Sequence, residues 1–138
     1  MIKIAKEFRW EMGHRLPFHD GLCTNLHGHS YKLLVELNGS VDEHGILVDY
    51  YDIKKMVGPI VDELDHSIIV NKADTELIDV LIKLKSRHVI IDSDTTAENI
   101  CRYFLEKIKN AGLPERVNKI KVRVFETENA YAEEEVVL

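Results

Sequence analysis

Two kinds of hydrophobic spacing occur in turn along this sequence, and they constrain its fold more than any other feature. In the first kind, apolar residues share one parity of an alternating segment, which is typical of a strand with one buried face. This spacing occurs at Ile2, Ile4, Phe8 and Trp10, at Leu33, Val35 and Leu37, and at Ile120, Val122 and Val124. The sequence therefore predicts at least three half-buried strands.

The turn residues predict how some of these strands are connected. Asn38-Gly39 and His44-Gly45 favour tight turns, so we expect Ser30 to Asn38 to form an antiparallel hairpin with Ile46 to Val48. A further strand is expected from about Tyr131 to Val137. Exposed strand edges of such a sheet would be templates for pairing with another copy of the chain. A homo-oligomer that joins sheets edge to edge is therefore expected.

In the second kind of spacing, apolar residues recur at three- and four-residue steps, which predicts amphipathic helices. One helix is expected between Asp49 and His66. Another begins near Thr95 or Thr96, because Thr95 and Glu98 have the spacing of a capping box. The stretch from Asn71 to Arg87 is ambiguous and is compatible with a further short helix. These elements predict an α+β domain with a mainly antiparallel sheet and two amphipathic helices on one face.

Composition limits the classes of function. The 138 residues contain no linker, repeat or low-complexity run, so a single domain spanning residues 1–138 is expected. With 18 Lys and Arg against 24 Asp and Glu, the net charge is −6, and a nucleic-acid partner is not expected. The sequence has no apolar run long enough to span a membrane and no secretory signal, which predicts a cytoplasmic protein. Both cysteines, Cys23 and Cys101, are expected to be free thiols.

Three histidines indicate a metal site. His27 and His29 are two residues apart, so on a strand both imidazoles lie on one face, and His14 could supply a third nitrogen from the first strand. Three protein ligands without an evident fourth are typical of a catalytic zinc, which keeps one position for water or substrate. A His-Gly-His taken alone is equally typical of a turn with two exposed imidazoles. His19 is close enough in sequence to compete for the metal.

Several other residues could take part in proton transfer. Cys23 lies outside any apolar stripe, where a nearby cation would favour its thiolate, whereas Cys101 is expected to be a small core residue. Asp65 and His66, at the end of the first helix, could relay protons or could simply cap the helix. Glu126 continues the parity of the buried residues of its strand, so its carboxylate is expected on the covered face, although a structural ion pair would also explain it.

The order and spacing of these motifs resemble the 6-pyruvoyl-tetrahydropterin synthase / 6-carboxy-tetrahydropterin synthase family along nearly the whole chain. Three residues separate Cys23 from His27-Gly28-His29, as in the bacterial queuosine-pathway members, whereas the animal pyruvoyl synthases have a longer gap. The matching landmarks are Phe8 through His14-Arg15-Leu16, Cys23 with His27-Gly28-His29, Val48-Asp49-Tyr50, Leu64-Asp65-His66, Thr96-Ala97-Glu98-Asn99 and Phe125-Glu126-Thr127.

This resemblance implies the T-fold, in which antiparallel sheets of several subunits join into a barrel and active sites lie between subunits. It also implies conversion of 7,8-dihydroneopterin triphosphate to 6-carboxy-5,6,7,8-tetrahydropterin, with loss of acetaldehyde and triphosphate. The assembly would be a hexamer or another T-fold oligomer.

The resemblance further assigns roles to residues at matching positions. Zinc would be bound by His14, His27 and His29. Cys23 would be the proton acceptor, and Asp65 and His66 would form the relay. Glu126 would hold the amino-pyrimidine edge of the pterin and join the relay. Thr96 and Glu98 match a stretch that lines the pterin pocket.

The sequence departs from the family pattern in two places. Thr95 stands where a proline commonly precedes the Thr-x-Glu motif, and the stretch from Ser67 to Asp94 is longer than in the shortest members. Because of the second departure, the sequence determines neither the structure of the pocket rim nor, in consequence, the identity of the product. The alternatives are a 6-pyruvoyl-tetrahydropterin synthase, which eliminates triphosphate without cleaving the carbon chain, and a non-catalytic T-fold protein that binds a pterin or purine. A dihydroneopterin aldolase would not require three histidines on a metal.

Overall fold

The fold is one six-stranded sheet with three helices, and the computed structural model describes all residues from 1 to 138. The strands follow the order β4-β3-β1-β2-β5-β6 across the sheet. The strands are β1 (Ile2–His14), β2 (His27–Gly39), β3 (Ser67–Asn71), β4 (His88–Ile91), β5 (Val117–Thr127) and β6 (Ala130–Val137). The helices are α1 (Tyr50–Leu64), α2 (Thr75–Leu84) and α3 (Ala97–Lys109), and a 3₁₀ turn occupies Leu22–Thr24.

The sheet is mainly antiparallel, which confirms the expected architecture. β1 pairs with β2 along its whole length, β2 pairs with β5, and β5 pairs with β6, all antiparallel. The two short strands β3 and β4 extend the sheet in parallel on the other side of β1. Because β3 pairs only with Met12 and Gly13, most of the outer edge of β1 is open, as is the outer edge of β6.

Helices α1 and α3 cover one face of the sheet and enclose the main core. The apolar stripe of each helix is buried, as its spacing predicts, with Ile53 and Val57 from α1 and Ile100 and Phe104 from α3 at most 1% exposed. The Trp10 ring lies 5.2 Å from the Tyr31 ring and 5.3 Å from the Phe104 ring. Full burial of a Val, Ile or Phe side chain contributes about 1.5–3 kcal/mol. The main core between the sheet and these two helices is therefore the principal source of stability.

The two helices expected on one face are confirmed as α1 and α3, and the stretch that the sequence left ambiguous forms a third helix, α2. Leu77 and Leu81 of α2 pack with Val70 in a small cluster separate from the main core. Val70 follows Ile69, a main-core residue, and successive side chains of a strand point to opposite faces. Helix α2 therefore lies on the face opposite α1 and α3. The Asp74 side chain caps its first turn by accepting a hydrogen bond from the Leu77 amide.

The prediction of a hairpin from Ser30 to Val48 is wrong, because Ile46 to Val48 is not a strand. Both edges of β2 are already occupied by β1 and β5, so no partner position is left for this segment. The segment instead follows a turn in which the Asp42 carboxylate accepts hydrogen bonds from the amides of His44 and Ile46. Leu47 and Val48 then pack into the core as loop residues.

The start of α3 agrees with the sequence to within one residue, but the capping residue differs from the capping-box assignment. Thr96 is the N-cap, and its hydroxyl accepts a hydrogen bond from the Asn99 amide at 3.2 Å. Thr95 is left inside the fold and is buried. None of the three helices has both the length and the apolar character needed to cross a bilayer.

Candidate metal centre and active site

Strand pairing brings three histidines together at one end of the sheet. His14, the last residue of β1, lies directly opposite His27, the first residue of β2. His29 follows His27 on the same face of β2. The ligand atoms of the three rings all lie within 4.8 Å of one another. This cluster could hold a metal ion, and it faces the side of the sheet that α1 and α3 cover.

The hydrogen bonds of the outer ring nitrogens fit a metal-binding role. The Nδ1 of His14 donates to the carbonyl oxygen of Thr95 at 2.7 Å, and the Nδ1 of His27 donates to that of Asn25 at 2.6 Å. Donation from Nδ1 fixes the tautomer that leaves a lone pair on Nε2, as in metal-binding histidines. His14 is only 1% exposed, and its Nε2 has no hydrogen-bond partner in the protein. A metal ion would satisfy this buried nitrogen.

The electrostatic setting keeps the cluster able to bind a cation. Burial lowers the pKa of His14 and of His29 below the ordinary imidazole value, and the neighbouring histidines lower it further. Two contacts act in the opposite direction without reversing the shift: the hydrogen bond to the Thr95 carbonyl raises the pKa of His14, and the Glu126 carboxylate raises the pKa of both rings. The two rings therefore stay neutral near pH 7, and neutral imidazole is the form that binds metals.

Glu126 lies beside the histidines, at the end of β5. Its Oε1 is 3.4 Å from the Nε2 of His14 and 3.7 Å from the Nε2 of His29. The parity of β5 thus directs this carboxylate to the covered face, as its place in the sequence predicts. With 31% of its side chain exposed, Glu126 can still reach a bound molecule.

Tyr31 is a residue of the site that the sequence analysis missed. Its ring lies 5.5 Å from the His29 ring and 6.3 Å from the His14 ring. Burial and the Glu126 charge both raise the pKa of its phenol, which keeps the hydroxyl protonated, and this buried hydroxyl has no partner in the protein. The available signal was parity, because Tyr31 is the next residue after His27 and His29 on the same face of β2.

Asp65 and His66 form a pair at the open edge of β1. The Nδ1 of His66 is 3.0 Å from the Asp65 carboxylate, which also accepts a hydrogen bond from the Glu11 amide at 2.9 Å. These contacts, the Glu11 amide first, hold the pKa of Asp65 below its usual range. The His66 amide in turn donates to the Glu11 carbonyl at 2.7 Å. The pair is therefore fixed to the strand, while the His66 side chain is 75% exposed.

His66 adopts the left-handed backbone conformation, with φ at 57°. This conformation is costly for a residue other than glycine and persists only where surrounding contacts enforce it. Besides the two bonds to Glu11, the Arg87 guanidinium donates to the carbonyl oxygens of Asp62, Glu63 and Asp65 at 2.9–3.3 Å. Arg87 thus binds the end of α1 next to His66.

The remaining predicted site residues are less closely associated with the cluster. Cys23 is a free, partly buried thiol in the 3₁₀ turn before β2, and no hydrogen bond joins it to Asp65 or His66. Thr96 serves as the cap of α3, and Glu98 is exposed in its first turn. His19 lies outside the metal cluster, and its ring accepts a hydrogen bond from the Gly21 amide.

Nearly the whole chain is similar to known proteins. A family model described as 6-pyruvoyl tetrahydropterin synthase matches residues 3–136. The 6-carboxy-5,6,7,8-tetrahydropterin synthase of Haemophilus influenzae is 36% identical over an alignment covering 96% of this chain and 98% of the relative. The protein of the same name from Aquifex aeolicus is 32% identical, with 95% and 96% covered.

Solved structures share the fold. The 6-pyruvoyl tetrahydropterin synthase of Plasmodium vivax superposes with a TM-score of 0.81 at 20% identity, covering 99% of this chain and 98% of that one. The synthase of Caenorhabditis elegans gives a TM-score of 0.71 at 24% identity, with 98% and 95% covered. The T-fold architecture expected from the sequence is confirmed, whereas the barrel formed between subunits stays a prediction.

The histidine cluster leads to a metal-binding prediction. The chain should bind about one Co²⁺ or Zn²⁺, and His29→Ala should abolish this binding, because two nitrogens are too few for a stable site. His19→Ala is the matched control and should retain the metal. Metal content after dialysis, measured by atomic emission, provides the test. A His29→Ala protein with the same metal content as the parent would contradict the assignment.

Proposed function

The chain belongs to the 6-pyruvoyl tetrahydropterin synthase family, and from this premise we propose that it is a zinc-dependent lyase of the 6-carboxy-tetrahydropterin synthase type. The proposed reaction converts 7,8-dihydroneopterin triphosphate to 6-carboxy-5,6,7,8-tetrahydropterin, with loss of acetaldehyde and triphosphate. The observation that carries the proposal is the buried, unpartnered Nε2 of His14 between His27 and His29, with Glu126 on the same face.

The choice of product is supported by the relatives and by motif spacing. The Haemophilus influenzae and Aquifex aeolicus relatives are named 6-carboxy-5,6,7,8-tetrahydropterin synthases. Three residues lie between Cys23 and His27-Gly28-His29, which is the spacing of the bacterial queuosine-pathway members. We therefore place the reaction in queuosine synthesis, carried out in the cytoplasm by a single pterin-binding domain spanning residues 1–138.

The metal site and Cys23 supply the acid–base chemistry of this proposal. Zinc bound by His14, His27 and His29 would polarise the oxygens of the substrate side chain and so acidify the adjacent C–H bonds. Cys23, in the turn that leads into the metal-binding strand, takes the proton as thiolate. His66 returns a proton, with Asp65 holding its ring through the 3.0 Å contact at Nδ1.

Glu126 recognises the pterin in this proposal. A carboxylate can accept two parallel N–H bonds from the amino-pyrimidine edge, for the same geometric reason that it pairs with arginine. The carboxylate oxygen lies beside the metal ligands. A pterin ring bound to Glu126 would therefore hold its own reacting side chain next to the metal. Thr96 and Glu98, at the start of α3, complete the pocket wall.

We further propose that each active site is built from two chains of a homo-oligomer. Within one chain no hydrogen bond joins Cys23 to Asp65 or His66, and the latter pair lies beside the open part of the β1 edge. The outer edge of β6 is also unpaired. Pairing the β1 edge of one copy with the β6 edge of the next is a heterologous contact, which closes into a ring when the rotation between copies divides a full turn evenly, and it would bring the exposed His66 to a neighbouring site.

The reaction can be tested through its products. The zinc-loaded protein, incubated with 7,8-dihydroneopterin triphosphate, should release acetaldehyde and a pterin whose mass corresponds to the 6-carboxy compound. A protein treated with a chelator should form neither, and re-addition of zinc should restore both. Release of triphosphate with a 6-pyruvoyl pterin and no acetaldehyde would identify the alternative synthase. Binding of the substrate without any product would contradict an enzymatic role.

The two cysteines provide a matched pair for testing the base. Cys23→Ala should keep the fold and the metal but lose about 10²- to 10⁴-fold in rate, because it removes the general base. Cys101 is buried in α3, and its thiol lies 3.2 Å from the Val122 carbonyl. Cys101→Ala should therefore leave the rate nearly unchanged and lower the melting temperature through a small cavity. A Cys23→Ala protein with parental turnover would show that another group is the base.

Mixed oligomers test whether the site contains two chains. Cys23→Ala and His66→Ala should each be nearly inactive alone. Unfolding and refolding them together in equal amounts should restore activity at about a quarter of the sites, since only some neighbouring pairs contribute both intact residues. Refolding each variant alone is the control. No recovery in a mixture that forms oligomers would contradict the two-chain site.

A further inference from the structure

Thr95 lies between the metal-binding strand and helix α3, in a position that the proposed chemistry does not use. It is 1% exposed, which makes it one of few buried polar residues in the chain. Its neighbour Thr96 is the N-cap of α3, so Thr95 is not required to begin the helix. A threonine used only to fill space would have no need for a buried hydroxyl, and the contacts of that hydroxyl therefore require an explanation.

Two hydrogen bonds join Thr95 to the end of β1 in opposite directions. The Nδ1 of His14 donates to the Thr95 carbonyl at 2.7 Å, and the Thr95 hydroxyl donates to the Arg15 carbonyl at 3.3 Å. The same hydroxyl oxygen is 3.2 Å from the His14 Nδ1, so it also accepts a share of that donor. The backbone carbonyl of Thr95 thus accepts the hydrogen bond of the imidazole, while its side chain is bonded to Arg15, the residue that follows the strand.

The side chain of Arg15, the residue that follows β1, has a separate partner. The Arg15 guanidinium makes two hydrogen bonds to the Asp74 carboxylate, at 2.8 Å from Nε and 2.6 Å from Nη2. Asp74 also caps helix α2, so this bidentate pair links β1 to the α2 segment. The Arg15 side chain is therefore fixed independently, and the Thr95 hydroxyl is the contact that ties the Arg15 backbone to the loop bearing the His14 acceptor.

We propose that Thr95 is a positioning residue that orients His14 for metal binding through its hydroxyl. This inference rests on the proposed metal role of His14. The carbonyl acceptor remains whatever the side chain at residue 95, but its place relative to the imidazole depends on the reciprocal bond to Arg15. Partners of this kind fix the ring orientation of a metal-binding histidine, and their loss typically weakens metal affinity by about 10- to 100-fold.

Thr95→Val provides the direct test because valine has the shape of threonine and lacks the hydroxyl. Titration with Co²⁺ should give a dissociation constant at least about tenfold larger than that of the parent protein. The visible absorption of bound Co²⁺, which reports ligand geometry, should change in intensity or position. Asp49→Ala is the control, since it removes the α1 cap far from the metal and should lower the melting temperature without altering Co²⁺ affinity.

A second pair keeps the test decisive if Thr95→Val does not fold. Thr95→Ser and Thr95→Ala differ only in the hydroxyl, and Thr95→Ser should bind Co²⁺ more tightly and with a spectrum closer to that of the parent. Equal affinities and spectra in this pair, or a Thr95→Val protein that matches the parent, would overturn the role of Thr95. A parent protein that binds no Co²⁺ would instead overturn the metal site itself, and the role of Thr95 with it.

Discussion

The antiparallel pairing of β1 with β2 is the constraint on which the rest of the site depends. Its register sets His14 opposite His27 at the end where the two strands separate. A slip of one residue would turn every side chain of one strand to the other face and disperse the cluster. The adjacent pair, Gly13 and Gly28, has no side chains, and a Cβ at Gly13 would lie only 2.5 Å from the Ile68 side chain. Glycine at that position leaves room for the Ile68 side chain of β3 in its present conformation.

The layer beneath the histidines explains why their nitrogens are suited to a metal. Trp10 and Tyr31 of the sheet pack with Phe104 of α3 in an aromatic layer, and the Tyr31 ring of this layer lies beside the rings of His14 and His29. Burial in such surroundings disfavours imidazolium, which is the direction of the pKa shifts of His14 and His29. A buried, neutral and unpartnered nitrogen is costly unless it has a ligand. Binding a cation would offset that cost, and the charge of the cation would attract the neighbouring Glu126 carboxylate.

The parts of this structure that could be predicted are those encoded in local spacing. Strand parity placed His27, His29 and Glu126 on one face, and three- and four-residue steps identified α1 and α3. The face taken by α2 could not be predicted, because it depends on the parallel insertion of β3 beside β1, a contact between distant segments. The expected hairpin at Ile46 to Val48 failed for the same reason, since β5, far along the chain, takes the edge of β2. The role of Thr95 depends on a bond to Arg15, 80 residues away.

The strained conformation of His66 connects the fold to the proposed assembly. A non-glycine residue with φ at 57° is held by Glu11 and by Arg87 contacts at the end of α1, yet its imidazole is directed to solvent within one chain. Strain that surrounding contacts maintain is characteristic of functional positions, and an exposed ring gains nothing in stability from it. On the proposed two-chain site, the strain fixes the ring in advance for a neighbouring copy. Pairing of β1 and β6 edges would then bury the open backbone groups and complete the catalytic set in one event, so that an isolated chain, although folded, would lack half of its acid–base machinery.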